Sequence, residues 1–486
     1  MARHATAALT SLLLLVVGCD EEREPPDAEV ADRDAGGRAD AGHEADAGSD
    51  VDAGPDTDGG PGTDAGPSPA CSVPPPFDEG VTYERTLHVA PDGDDANDGS
   101  AGAPLATIRE AGSRATPGTR VRVAGGTYGR VSLDPLAGEP GRPIAFVADG
   151  AVTIDASDGT GWRMTDSSYV VLEGFTIENA QVHGMNLDDG GSFDTPMHHL
   201  VLRGLTVRDA GSGGNNDCIK MSGVDDFWIL DSDVSGCDRG EIVDMVGCHR
   251  GVIHGNVFHD TVQNGVQAKG GSADTLIHGN VFRDIPGRGV NAGGSTGLAF
   301  FRPTDAPHEA ARIRIVANVF ERVGAESGAP VAYVGCDACA FVHNTVIEPR
   351  TWVARILQES TDARFVPSRN GVFASNLVVV SVDDLSTWVN VGPDTAPETF
   401  TFSHDLWYAL DRGPSWGGPS LPSAIPAETD AVVQEEPRLV DRAGGDYRLQ
   451  TGSPAIGAGR DVDGLEPDFD GRCYASPPAI GAFAAP

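Results

Sequence analysis

The stretch Arg250–Ser295 carries the same message twice. His254-Gly255-Asn256-Val257-Phe258 returns 24 residues later as His278-Gly279-Asn280-Val281-Phe282, and Gly265-Val266-Gln267-Ala268 returns in the same register as Gly289-Val290-Asn291-Ala292. A short apolar strand followed by a glycine-rich corner cannot bury its own apolar face, so such units must stack. The chain is therefore expected to be all-β, a single-stranded right-handed parallel β-helix of about eight to ten coils.

Aligning coils on the position of Asn256 gives Phe175, Leu205, Ser232, Asn256, Asn280, Asn318, Asn344 and Asn376, with steps of 30, 27, 24, 24, 38, 26 and 32 residues. Five asparagines in one column predict an internal ladder in which each amide bonds to the next coil's. At about 4.8 Å per coil, eight coils make a rod of roughly 35–40 Å. The long step carries an insertion, Ser295–Arg312, of the kind expected to line a binding face.

The termini read differently. Residues 1–18 run from Arg3 into the apolar Leu12–Val17, too short to span a bilayer and placed like a secretory signal. Val16-Val17-Gly18-Cys19 resembles the bacterial lipoprotein cleavage motif, which implies lipidation at Cys19 and an exported, membrane-anchored protein at the outer membrane or cell surface. Residues 19–84 are expected to be a disordered Asp/Ala/Gly-rich tether. Asp20–Ala70 alone holds sixteen acidic side chains against Arg23, Arg33 and Arg38, so it supplies −13 of the chain's −38 and has no aromatic side chain to pack. That balance argues against nucleic acid and against anionic membrane surfaces, leaving the lipid as the membrane contact.

Without Cys19, seven cysteines remain: Cys71, Cys218, Cys237, Cys248, Cys336, Cys339 and Cys473. In an exported chain they allow three pairs and one free thiol, of unassigned pairing. The β-helix is expected over 85–404, opened by a capping helix around Pro104–Ala111, with an irregular cap over 405–486. A monomer is expected.

A second column carries the candidate chemistry. Asn186, Lys220, Asp244, Gln267, Asn291, Arg355 and Asn390 fall at matching positions of successive coils, and alternation points them outward from one sheet. Asp188, Ser222 and Lys269 neighbour them. Lys220 and Lys269 are the chain's two lysines, which places both on one narrow face. Near them, Asn215-Asn216-Asp217, Glu241 and Asp244 offer oxygen ligands for a hard cation, with Asp217, Glu241 and Asp244 as the set for Ca2+. Corner capping explains the same residue types equally well. Arg288 lies close by, and the insertion adds Phe301 and Arg302.

A long shallow sheet with these cations suits an acidic polysaccharide. Removing the proton α to a uronate carboxylate requires a base and stabilisation of the resulting anion. Lys269 is the candidate base if its pKa is lowered, with Arg302 and Arg355 converging on the same groove. A hydrolase needs two facing carboxylates at a defined separation. Glu241 and Asp244, three residues apart around a strand, are not expected to share a face.

The order of cap, coils and tail resembles the pectate-lyase-like superfamily of secreted β-helix proteins. One lyase family within it carries an Asp-Asp-Gly-x-Asp calcium motif and later a lysine in Asn-Gly-x-Lys-x-Gly-Gly. Here the first reads Asn216-Asp217-Cys218-Ile219-Lys220. The second reads Asn264-Gly265-Val266-Gln267-Ala268-Lys269-Gly270-Gly271, with Gln267 at the base position and Lys269 two residues on. The resemblance implies a cell-surface lyase acting on uronate-containing polysaccharide by β-elimination. The alternative is a non-catalytic carbohydrate-binding or adhesion protein using the same face, and an epimerase would share the lyase's first half-reaction.

Overall fold

The computed structural model describes residues 71–192, 194–212, 216–462 and 464–486. Cys19, the acidic run up to Ala70 and Asn215 lie outside the described residues. From Arg85 the chain winds into a parallel β-solenoid of about twelve right-handed turns, more than the repeat count predicts. The extra coils come first: the strands Thr119–Gly129 and Ile144–Asp155 precede the coil of Phe175 and lack the asparagine that marks later coils. Two parallel sheets wrap the core, one of 24 strands and one of ten.

The asparagine column forms the ladder expected of it. Asn256 donates its main-chain N–H and its Nδ2 to Asn280 Oδ1, both at 2.9 Å, and Asn280 does the same to Asn318. Each Nδ2 also donates to a main-chain carbonyl of the preceding coil, as Asn280 does to Ile253 at 2.9 Å. The ladder starts at Ser232 and ends at Asp405, whose Oδ1 accepts from Asn376. Beside it, six rings from Phe258 through Phe282, Phe320, Phe341 and Phe373 to Phe402 stack at centroid spacings of 4.6–5.3 Å. Amides satisfied within the core and rings packed along it fix the coil register.

The helix Ile108–Arg114 caps the first coil, with Thr107 Oγ1 accepting from the Glu110 N–H at 3.1 Å. Gly112 permits its close approach, because a Cβ there would stand 2.8 Å from Leu133 Cδ2.

The β-helix begins at the expected Arg85, but the tether before it is shorter than expected and the coils run further. Residues 71–84 are ordered: Phe77 packs edge-on against Tyr169 and Trp228, and Asp78 forms a bidentate pair with Arg203 at 2.7 and 2.9 Å. The apolar residues Val73, Phe77 and Tyr83 explain this, since burying them along the coils offsets the ordering cost. At the other end, coil pairing runs past 404 to Val433. At the end of the core Trp388 stacks on Trp416 and meets Trp407 edge-on. The tail then folds back, burying Leu439, Tyr447, Ile480 and Phe483 against Ile347, Leu377 and Val379 on the side of the larger sheet.

Disulfides join Cys71 to Cys473, Cys218 to Cys237 and Cys336 to Cys339, and Cys248 is a buried free thiol. Among the described residues no helix is long and apolar enough to cross a membrane.

Candidate functional site

The ten-stranded sheet aligns the polar column as the alternation predicts. Asn186 pairs with Lys220, Lys220 with Asp244, Asp244 with Gln267 and Gln267 with Asn291. Ala332 then interrupts before Arg355 and Asn390. The two lysines are not on adjacent coils. Their strands, Ile219–Ser222 and Val266–Lys269, flank Val243–Val246, and both ammonium groups converge on Asp244 from opposite sides. Lys220 Nζ is hydrogen-bonded to Asp244 Oδ2, and Lys269 Nζ lies 3.5 Å from the same oxygen. Asp244 Oδ1 accepts from Gln267 Nε2 at 3.1 Å, and Gln267 Oε1 accepts in turn from Asn291 Nδ2.

Asp217 and Glu241 complete an acidic trio with Asp244. Ligand atoms of the three lie within 4.8 Å of one another, close enough to hold a metal ion. Asp217 Oδ1 accepts from the Glu241 N–H at 2.9 Å, while its buried Oδ2 has no hydrogen-bond partner and stands 3.9 Å from Lys220 Nζ. Glu241 precedes its strand and sits in the corner, so strand alternation does not apply to it. Its carboxylate therefore reaches the same place as Asp244, contrary to the sequence argument that kept the two apart. Both Asp217 and Asp244 are sealed from solvent, which denies them contact with a glycan.

The accessible layer is cationic. Lys220 and Lys269 side chains are 14% and 13% exposed, above the buried carboxylates. Burial works against the Lys269 ammonium, but the carboxylates of Asp244, Glu241 and Asp217 outweigh it and raise its pKa. This reverses the lowered pKa expected of a base near neutrality. Burial would also raise Asp244, yet the two ammonium groups and the hydrogen bonds from Lys220 and Gln267 hold it well below the usual carboxylate range. Asp217 is pushed well above that range, first by burial and then by the Asp244 carboxylate.

His183 is a member of the cluster that sequence reasoning missed. Burial, followed by the Lys220 ammonium, lowers it to about 4, so it is a neutral imidazole, and its Nδ1 accepts from the Asp217 N–H at 2.9 Å. It lies in a corner before the strand Met185–Asp188, where period-two patterning gives no signal.

The insertion is clamped rather than loose. Gly270 and Gly271, with φ of 62° and 87°, turn the chain sharply after Lys269, and a Cβ on Gly271 would meet the Arg302 carbonyl at 2.5 Å. Glu309, another unforeseen residue, accepts from Gly270 N, Thr296 N and Thr296 Oγ1 at 2.8–3.0 Å and from Ser360 Oγ.

Two expected site residues serve as anchors instead. Arg302 is buried, pairing with both oxygens of Asp225 at 2.6 and 2.9 Å and donating to the Gly247 carbonyl. Phe301 is sealed against Phe365, with the Arg364 guanidinium 4.4 Å above its ring. The exposed ring is that of Phe300, at 48%, beside Leu298 at 49%.

Arg355 does not join Lys269 either. It lies three rungs past Gln267, about 14 Å along the sheet. There it donates to Asn390 and the Ser327 carbonyl and stacks on Trp352, and burial with neighbouring Arg288 lowers it to about 10, still charged at neutral pH. Arg288 itself links Asn291 Oδ1 at 2.9 Å to Glu359 at 2.8 Å. The convergence of Lys269, Arg302 and Arg355 over one groove is thus absent.

Comparisons with known proteins agree with the architecture. A family model described as a right handed beta helix region matches residues 151–302. An uncharacterised protein of Bacillus subtilis (strain 168), YwoF, is 27% identical over 129 residues, 25% of this chain and 22% of that protein, so the match spans about a fifth of the relative's length. Among solved structures, the pectate lyase Pel9A superposes with a TM-score of 0.54 at 15% identity, covering 84% of this chain and 98% of the other. A rhamnogalacturonan lyase gives 0.46 at 14%, covering 79% and 95%. The right-handed β-helix is thus a fold this chain shares with the pectate lyase.

Proposed function

We propose that the outer face of the ten-stranded sheet binds a uronate-bearing polysaccharide and cleaves it by β-elimination at Lys269. The observation that carries this reading is the layering of charge: two ammonium groups lie on the open side, with Asn186 in the next rung, over a trio of buried carboxylates. A polyanion meets donors and cations there, while Arg288 and Arg355 extend the track along the sheet.

In the elimination, the neutral Lys269 amine takes the proton from C5 of the uronate. The C–H electron pair forms the C4=C5 double bond, the C4–O4 bond breaks, and the departing oxygen takes a proton from water. Lys220, held on Asp244, neutralises that buried carboxylate so that it does not oppose the charge developing on the uronate. Because the resting group is an ammonium, it first yields its proton to solvent, and the rate grows as pH rises. Arg302 and Phe301 have no part in the step. The trio is where Ca2+ would bind, but the Lys220 ammonium already stands between Asp244 and Asp217, so no step is routed through a metal.

One observation favours a second reading. An ammonium held protonated by Asp244 is a better anion ligand than base, as a non-catalytic surface adhesin would use it. In either case the protein is proposed to act as a monomer at the cell surface, held through lipid on Cys19.

The test mixes the full chain and Lys269→Ala with polygalacturonate, alginate and glycosaminoglycans across neutral and alkaline pH, following the ultraviolet absorbance of unsaturated uronate. A rise lost in Lys269→Ala supports elimination. A rise that survives the substitution refutes Lys269 as base, and binding without any rise leaves the adhesin.

A further inference from the structure

We infer that Lys220 is a built-in replacement for a divalent cation, and that the acidic trio of this chain works without metal. The carboxylate spacing is right for an ion, so the question is what stands among the carboxylates. Lys220 Nζ does: it is in hydrogen-bond contact with Asp244 Oδ2 and 3.9 Å from Asp217 Oδ2, the two oxygens a bridging cation would join. A second ammonium, Lys269, lies 3.5 Å from Asp244 on the far side.

Few oxygens remain for a metal. Both Asp244 oxygens are engaged, one by Lys220 and the other by Gln267. Asp217 Oδ1 takes the Glu241 N–H, and Glu241 Oε1 takes Asn264 Nδ2 at 3.1 Å. Calcium requires about six to eight oxygen ligands, and a resident ammonium repels any divalent ion arriving beside it.

Residue type points the same way. Of the 34 lysine and arginine side chains in the sequence only Lys220 and Lys269 are lysine, and both sit here. A guanidinium is a wide planar fork, whereas an ammonium is a compact point charge that mimics an ion. The register places Lys220 one rung from Asp244, so its stem runs along the sheet and delivers the charge without distorting the strand. This inference goes beyond the lyase reading and does not depend on it.

The test is calcium binding by the metal-stripped full chain, by titration calorimetry and by melting with and without EDTA. Wild type is compared with Asp217→Asn, which cancels weak binding by the acidic N-terminal run, and with Lys220→Met, which keeps the stem and removes the charge. Wild type is expected to show no calcium equivalent that Asp217→Asn removes, and no melting shift with EDTA. Lys220→Met is expected to gain one equivalent, bound at least about tenfold tighter than the wild-type background, with a calcium-dependent rise in Tm. A wild-type equivalent abolished by Asp217→Asn overturns the inference, as does a folded Lys220→Met that gains none. Should Lys220→Met not fold, the wild-type comparison with Asp217→Asn decides alone. Glycan turnover enters neither readout, so this inference and the lyase reading fail separately.

Discussion

Asn280→Ala tests the ladder that holds the site's strands in register. The side chain is fully buried and makes four hydrogen bonds: Oδ1 accepts from Asn256 N and Nδ2, and Nδ2 donates to Ile253 O and Asn318 Oδ1, all at 2.9 Å. Truncation leaves the Asn256 N–H and one Asn256 amide hydrogen without acceptors. Each orphaned buried group costs about 1–3 kcal/mol, so the expected loss is about 4 kcal/mol. Ser232→Ala, at the head of the column, orphans only the Leu205 N–H and should cost about half as much. Denaturant titration followed by far-ultraviolet circular dichroism gives the difference, provided the slopes match. Because coils contact only their neighbours, hydrogen exchange should accelerate in Ile253–Phe258 and Ile277–Phe282 and leave the first coils unchanged. A loss under about 1 kcal/mol, or equal losses for the two variants, would refute the reasoning by showing that water replaces the amide.

Three further outcomes are expected. Arg302→Ala removes two bonds to Asp225, which Arg302 and His249 hold well below its usual range against the effect of burial; His249 and Arg250 still engage the carboxylate, so the loss should be about 1.5–3 kcal/mol, while glycan turnover per folded molecule stays within about twofold. Adjacent phenylalanines should separate: Phe301→Ala costs about 3–5 kcal/mol, whereas Phe300→Ala leaves Tm unchanged and weakens glycan binding a few-fold, and a reversed order sinks the assignment. For Asp405, burial and then the Glu428 carboxyl raise the folded pKa, so the folded state holds its proton longer. Stability is full below the unfolded value near 3.8 and falls as pH rises through the folded value. Asp405→Asn keeps the Oδ1 acceptor for Asn376 and should abolish that fall, as melting curves across pH would read.

The fold was legible because a stacked repeat writes its register into the sequence. One asparagine per coil marks a position, and the steps along that column match the strand pairing from Phe175 to Asn376. The polar column was legible for the same reason, since period two alone decides which side chains leave the sheet. The failures lie where that period stops. His183 and Glu241 sit in corners, and Phe301 and Arg302 sit in an inserted loop whose facing partners, Asp225, Phe365 and Arg364, are distant in sequence. The strands before the coil of Phe175, Thr119–Gly129 and Ile144–Asp155, carry no aligned asparagine, so the repeat does not mark those coils. Residues 71–84 read as more tether because the acidic run precedes them, although Phe77 and Tyr83 already carry the apolar surface that docks them.

The sign of the chemistry at Lys269 was the least legible quantity, and the reason is geometric. Two lysines on neighbouring coils would repel and lower one another's pKa. The same two lysines with Asp244 on the strand between them become the flanks of a shared carboxylate, and Lys269 rises instead. A uronate that engages Lys269 must therefore compete with Asp244 for the ammonium. It does so over a buried ion pair whose breaking costs several kcal/mol, and Lys220 lowers that cost by staying with Asp244 when Lys269 turns outward. On the proposed function the two lysines divide the work: one neutralises the buried carboxylate while the other turns to meet the glycan. Loss of Lys220 should then impair glycan binding through Lys269, although Lys220 is the more tightly held of the two.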